Sequence, residues 1–228
     1  MKQPLIFFDL GGVLLLEADR SVKKLAKHAH INLFLRTFEF ASLLLGPDTK
    51  DKWFLGELAS SDIIDAINNN IDTPQYASFF QDADELNLIK YGCRSFLVPE
   101  LLAENTHIIP EGLEFVKKCK ANDIEIAIIS NWEKPSFELV RNKMPELFNL
   151  FDDRTTIIPA KVGYTKPHPK IYEYSLHLTG HTPESCIFID DSASNVAGAQ
   201  KYGIPSILHK NWKDTEDAIR NLGVQFIS

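Results

Sequence analysis

Three short apolar runs in this chain each stop on a polar residue that a hydrophobic core would not accept. PLIFFD (4–9) ends on Asp9, IEIAIIS (124–130) on Ser130, and CIFID (186–190) on Asp190 with Asp191 directly behind it. Continuous Ile- and Phe-rich runs of this kind fit strands buried on both faces, as in a parallel sheet covered by helices. PSIL (205–208) reads as a fourth strand and TTIIPA (155–160) as a weaker fifth. Helical patterns lie between them. PEGLEFVKKCK (110–120) and KPSFELVRNKM (134–144) carry Pro in their first turn, while KIYEYSLHLTG (170–180) and ASNVAGAQKYG (193–203) close on Gly. Strand and helix in alternation predict an α/β fold: a Rossmann-like parallel sheet with helices on both faces.

Residues 17–107 read differently, because no strand pattern interrupts them. SVKKLAKHAHINLFLRTFEFASLLLG (21–46) keeps apolar residues at helical spacing for about 25 residues. SSDIIDAINN and TPQYASFF open further helices, with Ser61 and Thr73 as candidate N-caps. DADELNLIKYG and PELLAEN complete an all-helical segment. The expected organisation is an α/β core of residues 1–16 and 108–228 with an α-helical domain, 17–107, inserted after the first strand. Phe34, Phe38, Phe40, Trp53, Phe54, Phe79 and Phe80 are expected to form that insert's own core rather than a ligand pocket. Arg20, Arg36, His28 and His30 are expected at its surface, with substrate contact as the alternative.

Composition narrows the class. A chain of 228 residues, 44% hydrophobic, can bury one substantial core and a smaller inserted domain. Its 31 acidic and 24 basic residues give a formal charge of −7, the wrong balance for a nucleic-acid binder. No apolar run reaches the roughly 18 residues of a membrane span. Asp9 breaks the N-terminal apolar stretch and no small-residue cleavage site follows it, so no signal peptide is expected. Cys93, Cys119 and Cys186 are odd in number and widely spaced, the pattern of reduced thiols in a cytoplasmic protein. Nothing in the sequence fixes an oligomeric state.

Four polar clusters fall at the carboxy ends of the expected strands, where open parallel sheets bind ligands. They are Asp9 with Gly11 and Gly12; Ser130-Asn131; Lys166 in GYTKPHPKIY; and Asp190-Asp191 with Asn195. Taken singly, each has a plainer reading as a helix cap, a solvated loop residue or a turn. Together they fit phosphoryl transfer to a carboxylate. Mg²⁺ held by Asp9 and the acidic pair would screen the attacking and attacked anions. The Lys166 ammonium would neutralise phosphate charge, Ser130 would donate to its oxygens, and the glycines would let the backbone approach.

The motifs D-L-G-G-V, I-I-S-N, G-x-x-K-P-x-P-x-I-Y and F-I-D-D-x-x-x-N, in that order, closely resemble the haloacid dehalogenase superfamily. The closest likeness is to its phosphatase branch with a helical cap inserted after the first strand, and WFLGELASSD (53–62) resembles a cap stretch of that branch. The resemblance implies Asp9 as nucleophile and metal ligand, with Gly11 offering a carbonyl to Mg²⁺. It implies Ser130 and Asn131 as a phosphate-binding pair, Lys166 as the anchoring lysine, Asp191 as the principal acidic metal ligand, and Asp190 and Asn195 in support. The implied ligand is a small phosphorylated metabolite, sugar phosphates being one class. One position departs from the pattern. Gly11 stands where most phosphatases of the family carry a second aspartate, a general acid and base worth about 10² to 10⁴ in rate. Three activities fit that departure: a phosphatase whose acid comes from elsewhere, a weak or inactive relative that binds a phosphorylated ligand or a protein partner, and a dehalogenase, whose relatives lack both the second aspartate and the metal.

Overall fold

The computed structural model describes residues 4–17 and 32–226. Its strands are β1 (Leu5–Phe8), β2 (Leu15–Glu17), β3 (Thr106–Ile108), β4 (Ile126–Ile129), β5 (Thr156–Ile157), β6 (Cys186–Asp190) and β7 (Ser206–Leu208). Five of them form one parallel sheet in the order β5-β4-β1-β6-β7. Every strand expected from the sequence is in that sheet. The three-residue strands β2 and β3 pair with each other and bracket the insertion; they are too short to leave a pattern.

The helices that matter here are α1 (Leu33–Leu45), α2 (Thr49–Leu55), α3 (Ser60–Asn70), α4 (Pro110–Ala121), α5 (Lys134–Lys143), α6 (Pro169–Thr179), α7 (Ala193–Lys201) and α8 (Trp212–Asn221). Alternate residues of β1 face opposite ways. Leu5 and Phe7, with Ala127, Ile129 and Phe188, pack under Ile171, Tyr172 and Leu176 of α6 and Ala199 of α7. On the other face the Phe8 ring meets Phe115 of α4 at 6.2 Å and Trp212 of α8 at 6.4 Å. Helices therefore cover both faces, and β1 is buried along its whole length.

The chain packs as two compact units, residues 1–16, 107–132 and 141–228 in one, and residues 17–106 and 133–140 in the other. Within the second, Phe34, Phe38 and Trp53 stack as a chain of rings 4.9 and 5.2 Å apart, and Phe40 meets Phe79 and Phe80 at 5.2 and 5.1 Å. Phe38, Phe40, Trp53 and Phe54 are buried in that unit's interior, as expected, whereas Phe34, Phe79 and Phe80 stay half-buried at its margin. Arg36 is no free surface residue: it is clamped by Glu85 at 2.5 Å and by the Phe79 carbonyl at 2.9 Å. Arg20, His28, His30 and the first part of the helix expected over 21–46 lie outside the described residues; the described helix α1 starts from an Asn32 cap.

Two expected caps do different work. Helix α3 begins a residue before Ser61, behind Ala59, whose N–H donates to Asp62. The neighbouring Ser60 hydroxyl accepts from the Trp53 indole at 2.9 Å, a tertiary use that propensity does not foresee. Thr73 stands at the expected cap position, but its hydroxyl donates back to the Asn70 carbonyl. No helix among the described residues is long and apolar enough to cross a membrane. All three cysteines are free and buried, and burial pushes their thiols up to about 11 for Cys93 and Cys186 and about 12 for Cys119.

Candidate active site

The register of the sheet gathers the site. Phe8 of β1 pairs with Ile128 of β4 on one side and Ile189 of β6 on the other. The residues one or two steps on, Asp9, Ser130 and Asp190, therefore emerge side by side at the carboxy edge of the three central strands. The Asp9 N–H is still held by the Ile189 carbonyl at 2.9 Å, which fixes where its side chain starts.

Lys166 reaches this edge from the loop before α6. Its buried Nζ lies 2.9 Å from Asp9 Oδ1, 2.6 Å from Asp190 Oδ2 and 2.9 Å from the Ile129 carbonyl. An ammonium has three protons, and each has an acceptor. Burial alone would lower its pKa, but Asp9 and Asp190 outweigh burial and hold Lys166 above its ordinary value. Asp190 is fully buried and spends both oxygens inside the protein: besides Lys166 it accepts from the Ser192 N–H at 2.8 Å and from Asn195 Nδ2 at 3.1 Å. Tyr172 of α6, also fully buried, donates to the Asn195 carbonyl at 2.9 Å and ties α6 to α7 beneath the site.

Asp9 is only 7% exposed and accepts from the Leu10 N–H at 2.7 Å and from the Ser130 hydroxyl. Its carboxyl is pushed up to about 7, because burial and the Asp190 charge outweigh Lys166. Asp191 opens onto solvent, and partial desolvation with the Asp190 charge pushes its carboxyl up as well. Ligand oxygens of Asp9, Asp190 and Asp191 lie within 4.8 Å of one another. Three carboxylates thus crowd one edge, and the Lys166 ammonium bonds two of them. An all-oxygen, anionic donor set suits a hard divalent cation such as Mg²⁺. With Asp190 committed to Lys166, Asn195 and Ser192, Asp9 and Asp191 are the carboxylates best placed to hold it. Gly12 makes room for Asp191. It turns at φ +73°, and a Cβ there would lie 2.7 Å from the Asp191 carboxyl carbon.

Of the nine residues named from the sequence, Asp9, Gly12, Ser130, Lys166, Asp190, Asp191 and Asn195 are joined by these contacts, and Asn131 joins them in an unexpected way. Its side-chain amide accepts from the Lys166 N–H at 2.7 Å and donates to the Lys166 carbonyl at 2.8 Å. Tyr172, which braces the Asn195 backbone, carries no local signal in the sequence.

A family model for haloacid dehalogenase-like hydrolases matches residues 4–203. The chain belongs to that family. As a haloacid dehalogenase-like hydrolase it is an enzyme, and its curated relatives differ in activity. The bifunctional epoxide hydrolase 2 of Rattus norvegicus is 32% identical over 105 residues, 43% of this chain and 18% of that protein. A probable pseudouridine-5'-phosphatase of Saccharomyces cerevisiae (strain ATCC 204508 / S288c) is 27% identical over 146 residues, 60% of each. The matches therefore span less than two thirds of either relative. Among solved structures, a haloacid dehalogenase family enzyme of Bacteroides thetaiotaomicron, in complex with magnesium and inorganic phosphate, superposes with a TM-score of 0.61 at 17% identity. That match covers 94% of this chain and 99% of the other and establishes a shared fold.

Proposed function

We infer that this hydrolase is a Mg²⁺-dependent phosphatase that removes phosphate from a small phosphorylated metabolite through an aspartyl-phosphate on Asp9. The observation that carries the reading is the Lys166 ammonium bridging Asp9 and Asp190 with Asp191 alongside. An anionic nucleophile, a fixed cation and a metal-competent carboxylate pair are what attack on a phosphate dianion needs.

The roles divide as follows. Asp9 attacks phosphorus with one carboxylate oxygen, the leaving oxygen departs, and water later cleaves the acyl phosphate to return Asp9 and free phosphate. Asp9, Asp191 and the Gly11 carbonyl would hold Mg²⁺, with Asp190 behind them. When bound, the metal screens the charge between carboxylate and phosphate. Lys166 neutralises charge on the transferring group. Ser130 and the main-chain N–H of Asn131 donate to phosphate oxygens, since the Asn131 side chain is bonded to Lys166. Asp190 keeps Lys166 in place, and Asn195 keeps Asp190 in place. The helical insertion, 17–107, is assigned the role of a cap domain that chooses the substrate, and residues 1–16 and 108–228 that of the hydrolytic core. Gly11 supports a second reading, a 2-haloacid dehalogenase, because halide leaves without a proton.

The test measures release of phosphate from a panel of sugar phosphates and nucleotides, and of halide from 2-haloacids. Phosphate release that needs Mg²⁺, stops in chelator and is lost in Asp9→Asn is the expected result. Halide release that persists in chelator overturns it in favour of the second reading.

A further inference from the structure

We propose that Asn131 and Gly198 are positioning residues that hold the Lys166 ammonium between Asp9 and Asp190. The proposal rests on Lys166 acting at Asp9 as described above, and it gives work to two residues that touch neither carboxylate in that account.

A lysine side chain carries about 2 kcal/mol of rotamer entropy, so its tip is placed only if its backbone is placed first. No strand ladder or helix does this, because Lys166 lies in the loop between the helix Pro159–Val162 and α6. Asn131 supplies the fixing instead. Its carboxamide accepts from the N–H and donates to the C=O of the same residue, a two-point clamp across 35 positions of sequence. Asn131 directly follows Ser130, and the Ile129 carbonyl accepts from Lys166 Nζ. Residues 129–131 therefore grip the lysine at both ends, backbone and ammonium, from the strand that also presents Ser130. Only a side chain with a donor and an acceptor on one plane makes the clamp; an aspartate lacks the donor.

The loop also packs against α7. A Cβ on Gly198 would sit 2.6 Å from Pro167 Cβ and 3.0 Å from the Pro167 carbonyl. A glycine inside a helix costs about 1 kcal/mol against alanine, and here it permits α7 to abut the residue next to Lys166. The same helix carries Asn195, whose amide holds Asp190. The ammonium and its anionic partner are thus referenced to one element.

Two measurements on the intact protein decide the matter. The first is acetylation by acetic anhydride, read peptide by peptide, with exposed Lys117 as internal reference. Lys166 should be strongly protected in the native protein, and Asn131→Ala and Gly198→Ala should each raise its labelling by at least about tenfold while Lys117 is unchanged. The second is a double-mutant cycle on phosphate release. Asn131→Ala should lower kcat by about 10- to 100-fold, the scale of a small misplacement, yet cost less than about twofold in a Lys166→Met background. Unchanged Lys166 labelling in both variants overturns the proposal. So does a full, independent loss from Asn131→Ala in the Lys166→Met background, which would mean direct contact with substrate. If the native protein releases no phosphate at all, the proposed function fails, and the labelling still decides the clamp. Asn131→Asp, which keeps the acceptor, stands in if the alanine variant does not fold.

Discussion

At Asp9 the carboxyl is pushed up to about 7 from an ordinary value of 3.8, and that difference has a sign. Between those pH values the folded metal-free protein holds a proton that the unfolded chain has released, so stability falls as pH rises and the loss is complete above pH 7. Asp9→Asn removes the cost. The metal-free variant should melt several degrees above the native protein at pH 8, with the gap closing toward pH 4, as thermal unfolding across a pH series would report. A native protein that melts higher than the variant at pH 8 would contradict the burial argument. Gly11, two residues on, makes a kinetic prediction. No side chain there can protonate a departing alkoxide, so rates should fall steeply with leaving-group pKa. Aryl and acyl phosphates should outrun simple alkyl phosphates by about 10² or more. A flat plot, with chemistry shown to limit the rate, would place the acid on another residue.

Among the elements, α8 shows how a helix far along the chain shapes the first loop. Trp212 at its start is buried against Phe8, Phe115 and His209, with the Phe115 ring centre 5.1 Å away. Its indole N–H donates to the Val13 carbonyl at 3.1 Å, one residue after Gly12. Trp212→Phe leaves that buried carbonyl without its donor and should cost about 1–3 kcal/mol in denaturant unfolding at unchanged slope. Trp212→Ala should cost about 3–5 kcal/mol. The five sheet strands were legible because two-faced burial writes itself as unbroken Ile and Phe. The short ribbon β2–β3 was not, since three residues carry no period. Asp9, Ser130 and Asp190 were legible because each interrupts or ends such a run. The contacts of Asn131 and Gly198 were not, because one depends on a partner 35 positions away and the other on the absence of a side chain beside Pro167.

For the molecule as a whole, the order β5-β4-β1-β6-β7 sets the first-made strand at the centre of the sheet. Phe8 cannot meet Ile128 until about 120 further residues exist, nor Ile189 until about 180 do. At ribosomal speeds the second wait is roughly 10 to 40 s. Throughout it the segment LIFF, already synthesised, is apolar on both sides and lacks its full set of neighbours. The helices of 32–105 have local partners and can form in that interval. A nascent chain therefore carries this apolar strand through about 180 residues of synthesis before both its neighbours exist, and the protein's yield in cells should depend more on chaperone supply and growth temperature than on the stability of the finished fold.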